Sequence, residues 1–389
     1  MEDNKIQEIK LRIKKYLELE NVSILAGAGT SFHLGAPIIR EVPDKLKPQL
    51  KNEIEYYFSE STEPSYEDLF NCLQADKFIK EKKHEDISSI NEKINLMQKW
   101  LFENCDTEKT TVHELYKEDE LLKNNKYFYH EMLIKKLLQR PNNLRRANLF
   151  TTNYDMAFDY ALDNLGVQYI NGFMGIHNRY FRPEVYDYDI YYPGQSVSGK
   201  VYRAEKVLRY YKIHGSLSWV SVPAANANTY GIKEVALNEN FEPNTDKQLM
   251  IYPCVSKKTF TLDLPYSELF RQFSQAINQP QSVLICLGYS FYDEHVNDII
   301  YQALSNPSFT LIIANYNDKG NEGEIKRLAN LNDNRIRIID ATDANQSTFV
   351  GFVKNIMPDL YEEEEQAIVL KTISELYSSK NGINEDNEE

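Results

Sequence analysis

The stretch from Asn21 to Arg40 (NVSILAGAGTSFHLGAPIIR) constrains this chain most. Val22, Ile24 and Leu25 form a short apolar run of strand type, which ends in the small residues Ala26-Gly27-Ala28-Gly29-Thr30-Ser31. Small residues let a backbone pass close to a phosphate. Thr30 and Ser31 add hydroxyl donors, and a helix opening at this point would turn its N-terminal amides toward an anion. The pattern therefore reads as strand, phosphate turn, helix. It departs from the dehydrogenase fingerprint in two ways: Phe32 stands where a third glycine would fall, and no carboxylate marks the ribose-binding place about 20 residues on. Taken alone, the same residues also suit a tight bend with no ligand.

Bulk properties narrow the partners. A chain of 389 residues suits a core with an insertion, or two domains. With 44 Lys and Arg against 58 Asp and Glu the net charge is −14, which disfavours direct nucleic-acid binding over the whole surface. No apolar run reaches the roughly 20 residues that span a bilayer, and MEDNKIQEIK carries no apolar signal region, so a cytoplasmic protein with no membrane partner is expected. Cys72, Cys105, Cys254 and Cys286 form no C-x2-C pair, so free thiols in a reducing compartment are expected, with neither zinc nor other metal ligands.

Along the chain, Ile6, Ile9, Ile13, Tyr16 and Leu17 share one face of a lead-in helix over residues 1–20. Residues 42–146 are rich in Lys, Glu and Asn, with apolar residues at helical spacing, and predict an insertion of three to five helices. His84, His113 and His130 within it read as structural or solvated. ANLF, ending at Phe150, is a second core strand, followed by Thr151-Thr152-Asn153-Tyr154-Asp155 at its C-terminal end. Residues 171–220 predict hairpins, their tyrosines Tyr186, Tyr188, Tyr191 and Tyr192 reading more simply as a half-exposed hairpin than as an aromatic platform. Leu208 to Ile213 is a strand that delivers His214, and residues 221–247 read as a loop. From residue 248 a βαβα rhythm follows: strands at 249–252, 283–287, 309–314 and 336–339, with helices at 266–277 and 293–304. Residues 344–378 read as C-terminal helices and 379–389 as a disordered acidic tail.

Three later motifs fix the meaning of the first turn: Thr151-Thr152-Asn153-Tyr154-Asp155, Lys212-Ile213-His214-Gly215-Ser216 and Leu287-Gly288-Tyr289-Ser290. In this order, with Gly35-Ala36-Pro37 and Arg40 after the first turn, the chain resembles the sirtuin (silent-information-regulator) family. The resemblance implies an α/β fold, a Rossmann-like mainly parallel sheet over residues 21–41 and 147–343, with the helical insertion where sirtuins carry their smaller domain. It implies NAD as substrate, with cleavage of the nicotinamide–ribose bond. Asn153 matches the family's catalytic asparagine and His214 its general base. NAD contacts are implied for Ala26, Gly27, Ala28, Gly29, Thr30, Ser31, Arg40, Thr152, Asp155, Gly288, Tyr289 and Ser290, and for Asn315 and Tyr316 at the next strand end. Asp155 reads equally well as an Asx-type helix cap.

Departures from the family point to one branch of it. Ile39 replaces the phenylalanine before the arginine, and the paired cysteines of a zinc module are missing. Water then becomes the nucleophile in place of an acyl-lysine peptide, and the chain resembles the sirtuin-like NAD hydrolases of bacterial antiphage defence. Its compact layout resembles the subunit that assembles with a HerA-type ATPase, which implies a homo-oligomer with such a partner. A protein deacylase and a non-catalytic NAD or ADP-ribose sensor are the alternatives.

Overall fold

The structure, a computed structural model, describes residues 2–38, 41–58, 64–194, 200–226, 228–237, 248–250, 264–314, 322–340 and 342–361. Its centre is a seven-stranded parallel sheet built from β1 (Asn21–Ala26), β2 (Asn148–Thr151), β3 (Gln168–Ile170), β4 (Val207–Lys212), β5 (Ser282–Leu287), β6 (Phe309–Ala314) and β7 (Ile336–Ile338). The spatial order is β7-β6-β5-β1-β2-β4-β3, and every pairing in it is parallel. β1 and β5 are buried on both faces and β6 nearly so, which is why residues 283–287 read as an uninterrupted apolar run and the other two strands are mostly apolar.

Alternation sends successive side chains to opposite layers. Val22, Ile24, Val283, Ile285, Leu287 and Ile312 join one core with helices α1 (Glu2–Leu17), α6 (Phe128–Leu138) and α7 (Ala157–Asn164). Leu25, Phe150, Leu284, Cys286, Leu311 and Ile313 join the other with α8 (Tyr266–Ile277) and α9 (Glu294–Ala303). The spacing of Tyr266, Leu269, Phe270, Phe273 and Ile277 gives α8 one apolar face, and that face is the buried one.

Between β1 and β2 the described residues hold α2 (Lys51–Tyr57), α3 (Tyr66–Lys83), α4 (Ser88–Cys105), α5 (Glu120–Asn124) and α6. The stretch splits by packing. Val42, Leu46, Leu50, Leu69, Phe70, Met97 and Leu101 form a separate small core that reaches Leu217, whereas Leu133, Ile134 and Leu137 of α6 pack on the central sheet.

Several local expectations are corrected. The glycine turn opens no α-helix: two 3-10 turns follow, Ala28–Thr30 and Phe32–Leu34, closed by Gly35 at φ 83°. A Cβ on Gly35 would lie 2.1 Å from the Thr111 carbonyl oxygen, so the chain bends sharply there instead of continuing as a helix. The strand expected at 249–252 is Gln248–Met250 among the described residues, and it pairs antiparallel with Gly215–Ser221, outside the central sheet. The stretch read as a loop over 221–247 contains the strand Ile232–Glu234, which borders Gly215–Ser221 in the same five-stranded antiparallel sheet. At the C-terminal side the described residues form short helical turns over 344–356, with Asp343 and Thr348 side chains capping the first two, and the rest of the helical expectation, from residue 362 on, lies outside the described residues. The tail expectation for 379–389 lies outside the described residues. No helix among them is long and apolar enough to cross a membrane.

Candidate active site

Four strands end in one row. Ala26 pairs with Thr151 and with Leu287, and Thr151 pairs with Lys212. The polar segments that follow therefore emerge side by side at the carboxyl edge of the sheet, where open α/β folds place ligands. They border a cleft of about 440 Å³ lined by Ala28, Ser31, Thr152, Asn153, Asp155, His214 and Ser290, together with Asp293 from the loop before α9. That size suits a small ligand.

Gly27 and Gly29 turn out to face a neighbouring loop. Gly27 N–H donates to the Leu287 carbonyl (2.9 Å) and Gly29 N–H to the Gly288 carbonyl (2.9 Å). A Cβ on Gly27 would sit 2.6 Å from the Gly288 oxygen, and one on Gly29 2.8 Å from the Gly288 Cα. Thr30 and Ser31 amides close the turn on the carbonyls of Gly27 and Ala28. The glycines thus serve close contact between two backbone turns, and Ala28, exposed in the cleft, is the part of the turn that meets the space.

Asn153 is buried, with its Nδ2 donating to Thr30 Oγ1 (3.1 Å) and Ser31 Oγ (3.2 Å). Its own N–H donates to Thr151 Oγ1. The amide of the second motif is thereby fixed by the hydroxyls of the first. Asp155 accepts from the Ala157 N–H (3.0 Å), an Asx turn that leads into α7, whose N-cap position is held by Met156 without a side-chain bond. Burial raises its pKa, opposed by the nearby Lys212 ammonium.

Lys212, part of the KIHGS motif, does not line the cleft but braces the segment that does. Fully buried at the end of β4, it donates to the Asp155 carbonyl (2.5 Å) and pairs with Asp159 Oδ2 (3.0 Å), which also accepts from Tyr210 OH. One side chain of the KIHGS motif so holds the backbone of TTNYD. A short apolar strand ending in lysine beside an acidic helix was the available hint, but the pairing is 53 residues apart in sequence.

His214 is buried at the end of the same strand, its Nε2 lying 3.1 Å from Nε2 of His295 in the first turn of α9. The His295 ring stands edge-on to Phe270 at 4.7 Å. Asp293 precedes α9, and its carboxylate lies within 4.8 Å of the ring nitrogens of both histidines. Neither His295 nor Asp293 entered the sequence reading as a site residue; the D-x-H spacing just after Gly288-Tyr289-Ser290 was the only hint.

Of the remaining expected contacts, Thr152 and Ser290 line the cleft. Tyr289 contributes backbone, because its side chain is turned into the core, where its hydroxyl donates to Asn297 Oδ1 (3.0 Å). Ala26 is buried as the last residue of β1. Arg40, Asn315 and Tyr316 lie outside the described residues. Among the described histidines of the insertion, His130 is buried and His84 exposed, neither near the cleft.

No curated protein matches this chain. Among solved structures it is similar to a Sir2 homologue mutant in complex with ADP-ribose, at 12% identity over 93% of this chain and 98% of that one, TM-score 0.43. It is also similar to a Sir2 homologue–NAD complex, at 14% identity over 90% and 94%, TM-score 0.41. Likenesses this distant carry neither a ligand nor an activity from one chain to another. Residues 147–339, which hold Asn153, His214 and the Gly288 turn on a Rossmann-like parallel sheet, match the family described as SIR2-like domain.

Proposed function

We propose that the chain is an NAD+ glycohydrolase that cleaves the nicotinamide–ribose bond. The observation that carries this reading is the meeting of Asn153, His214 and the Ala28 turn in one cleft at the aligned ends of β1, β2, β4 and β5. The match of residues 147–339 to the SIR2-like family supports it.

The reaction is NAD+ plus water giving ADP-ribose, nicotinamide and a proton. As the C1′–N bond lengthens, its electron pair leaves with nicotinamide and positive charge passes to the ribose ring. The cleft must hold the ribose while water reaches C1′, and positioning of this kind supplies several kcal/mol. Asn153 gives its amide hydrogens to Thr30 and Ser31, so its carbonyl oxygen is the atom that accepts from a water or a ribose hydroxyl. His214 takes the proton released as that water or hydroxyl reacts, a step worth about 10²–10⁴-fold. Ala28 and Ser290 flank the place for the pyrophosphate. Arg40, Asn315 and Tyr316 are proposed to contact the phosphates and adenosine.

We place the activity in bacterial antiphage defence, held in check by self-assembly and by a HerA-type ATPase partner, on the layout of the chain. The test is incubation of the purified protein with NAD+, with products resolved by chromatography, alone and with an acetyl-lysine peptide. Nicotinamide and ADP-ribose formed without peptide support the hydrolase. Nicotinamide formed only with peptide would make the chain a deacylase, and bound but uncleaved NAD+ a sensor.

A further inference from the structure

Among the described residues, one group of side chains has the composition and spacing of a metal site: His214, Asp293 and His295. Two imidazoles and one carboxylate form a common donor set for divalent first-row transition ions and leave further coordination positions open. Two nitrogens bound to one tetrahedral ion at about 2.0–2.1 Å would stand roughly 3.3 Å apart. The two Nε2 atoms are 3.1 Å apart as a hydrogen-bonded pair, and an ion bound between them would displace the proton they share and take both lone pairs.

The scaffold around these ligands is fixed by contacts that do not involve the ion. His214 follows Ile213, whose N–H donates to Thr151 at the sheet edge. The Asp293 carbonyl accepts from Tyr289 OH and from the Val296 and Asn297 amides, which holds the first turn of α9 in place. Phe270 supports the His295 ring on the side of the apolar core. Asp293 lines the cleft, so an ion at this cluster would face the space assigned to substrate.

We infer that His214, Asp293 and His295 bind a divalent transition-metal ion of the zinc class, and that this ion inhibits the enzyme by occupying the His214 nitrogen that faces the cleft cluster. The inhibitory part rests on the proposed role of His214 as base. One lone pair cannot both ligate a cation and accept a proton, so metal binding and catalysis exclude each other on that atom. The chelated protein is the active form.

The experiment uses the full chain, stripped with a chelator and dialysed. Zn2+ binding is measured by calorimetry, and Co2+ by its visible ligand-field band, which reports the coordination sphere without any enzymatic readout. A single saturable ion per chain is expected, with affinity lowered roughly a hundredfold in Asp293→Asn and His295→Phe. The phenylalanine keeps a ring against Phe270 and removes only the ligand nitrogen. NAD+ cleavage is then followed against Zn2+, each protein normalised to its own metal-free rate. Zn2+ inhibition should be reversed by chelator and shifted to roughly hundredfold higher concentration in His295→Phe. Absence of saturable binding, or binding unaltered in both variants, would overturn the site. Binding that raises the rate would overturn the inhibitory role and make the ion catalytic. Binding to a protein that never cleaves NAD+ leaves the site standing and removes the hydrolase reading.

Discussion

Gly27 and Gly29 show how a residue's meaning depends on what folds against it. Both sit under the Gly288 turn at distances no Cβ tolerates against backbone atoms. Gly29→Ala should destabilise the protein by about 1–3 kcal/mol through overpacking, read as a lower urea midpoint at unchanged slope. Stability equal to wild type would mean that the two turns are not in contact. Ala28 is the opposite case. Its methyl faces the cleft, so Ala28→Glu should leave the urea midpoint nearly unchanged while abolishing NAD+ binding measured by calorimetry, because the new carboxylate opposes a pyrophosphate. Unaltered affinity would move the phosphate site elsewhere. Lys212→Met leaves Asp159 buried without its cation and should cost about 3–5 kcal/mol. The glycines and the asparagine were legible in the sequence because each lies within three residues of a strand end. Lys212, Asp293 and His295 were not, because their partners come from other strands and helices, and spacing along the chain does not encode that meeting.

At the scale of elements, α6 docks onto the glycine turn through two histidines. His33 of the 3-10 turn and His130 of α6 stack at 5.2 Å beside Phe349, fully inside the core. Their ring nitrogens make no hydrogen bond among the described residues. Burial lowers the His33 pKa to about 3 against the opposing Asp119 charge and Thr30 backbone, and burial beside His33 pushes that of His130 well below its ordinary value. Both are neutral in the folded protein while the unfolded chain takes up protons near pH 6.5. Stability is therefore fullest above about pH 6.5 and falls as the pH drops from there toward 3, by up to about 1.4 kcal/mol per unit for each histidine. Urea unfolding at pH 7.5 and 5.0 measures it, and His130→Phe should flatten the dependence. An equal slope in that variant would show that the pair is not the source. The sequence reading of His130 as structural fits this burial, whereas the absence of an α-helix after the glycine turn was illegible because it depends on Gly35 meeting Thr111 across 76 residues of chain.

For the whole molecule, the central sheet was legible in the chain: β1, β5 and β6 are mostly apolar segments of strand length, and the turns after β1 and β5 are rich in glycine and hydroxyl residues. The antiparallel sheet was partly hidden, since strands of two or three residues such as Phe173–Met174 and Ile232–Glu234 show no period. The two packing groups in residues 42–146 were also hidden, because helical spacing marks a buried face but not what it is buried against. If activity is held back by assembly, light scattering should find an oligomer whose NAD+ cleavage changes when the partner ATPase is added. A monodisperse monomer with full constitutive activity would contradict that.

We propose that one cleft binds NAD+ and that Asn153 and His214 act on it. It is tested most directly by measuring NAD+ affinity and nicotinamide release side by side in the wild type, Asn153→Ala and His214→Ala. His214→Ala should keep its affinity within a few-fold while release falls about 10²–10⁴-fold, and Asn153→Ala should behave likewise. A folded His214→Ala protein that releases nicotinamide at the wild-type rate would contradict it.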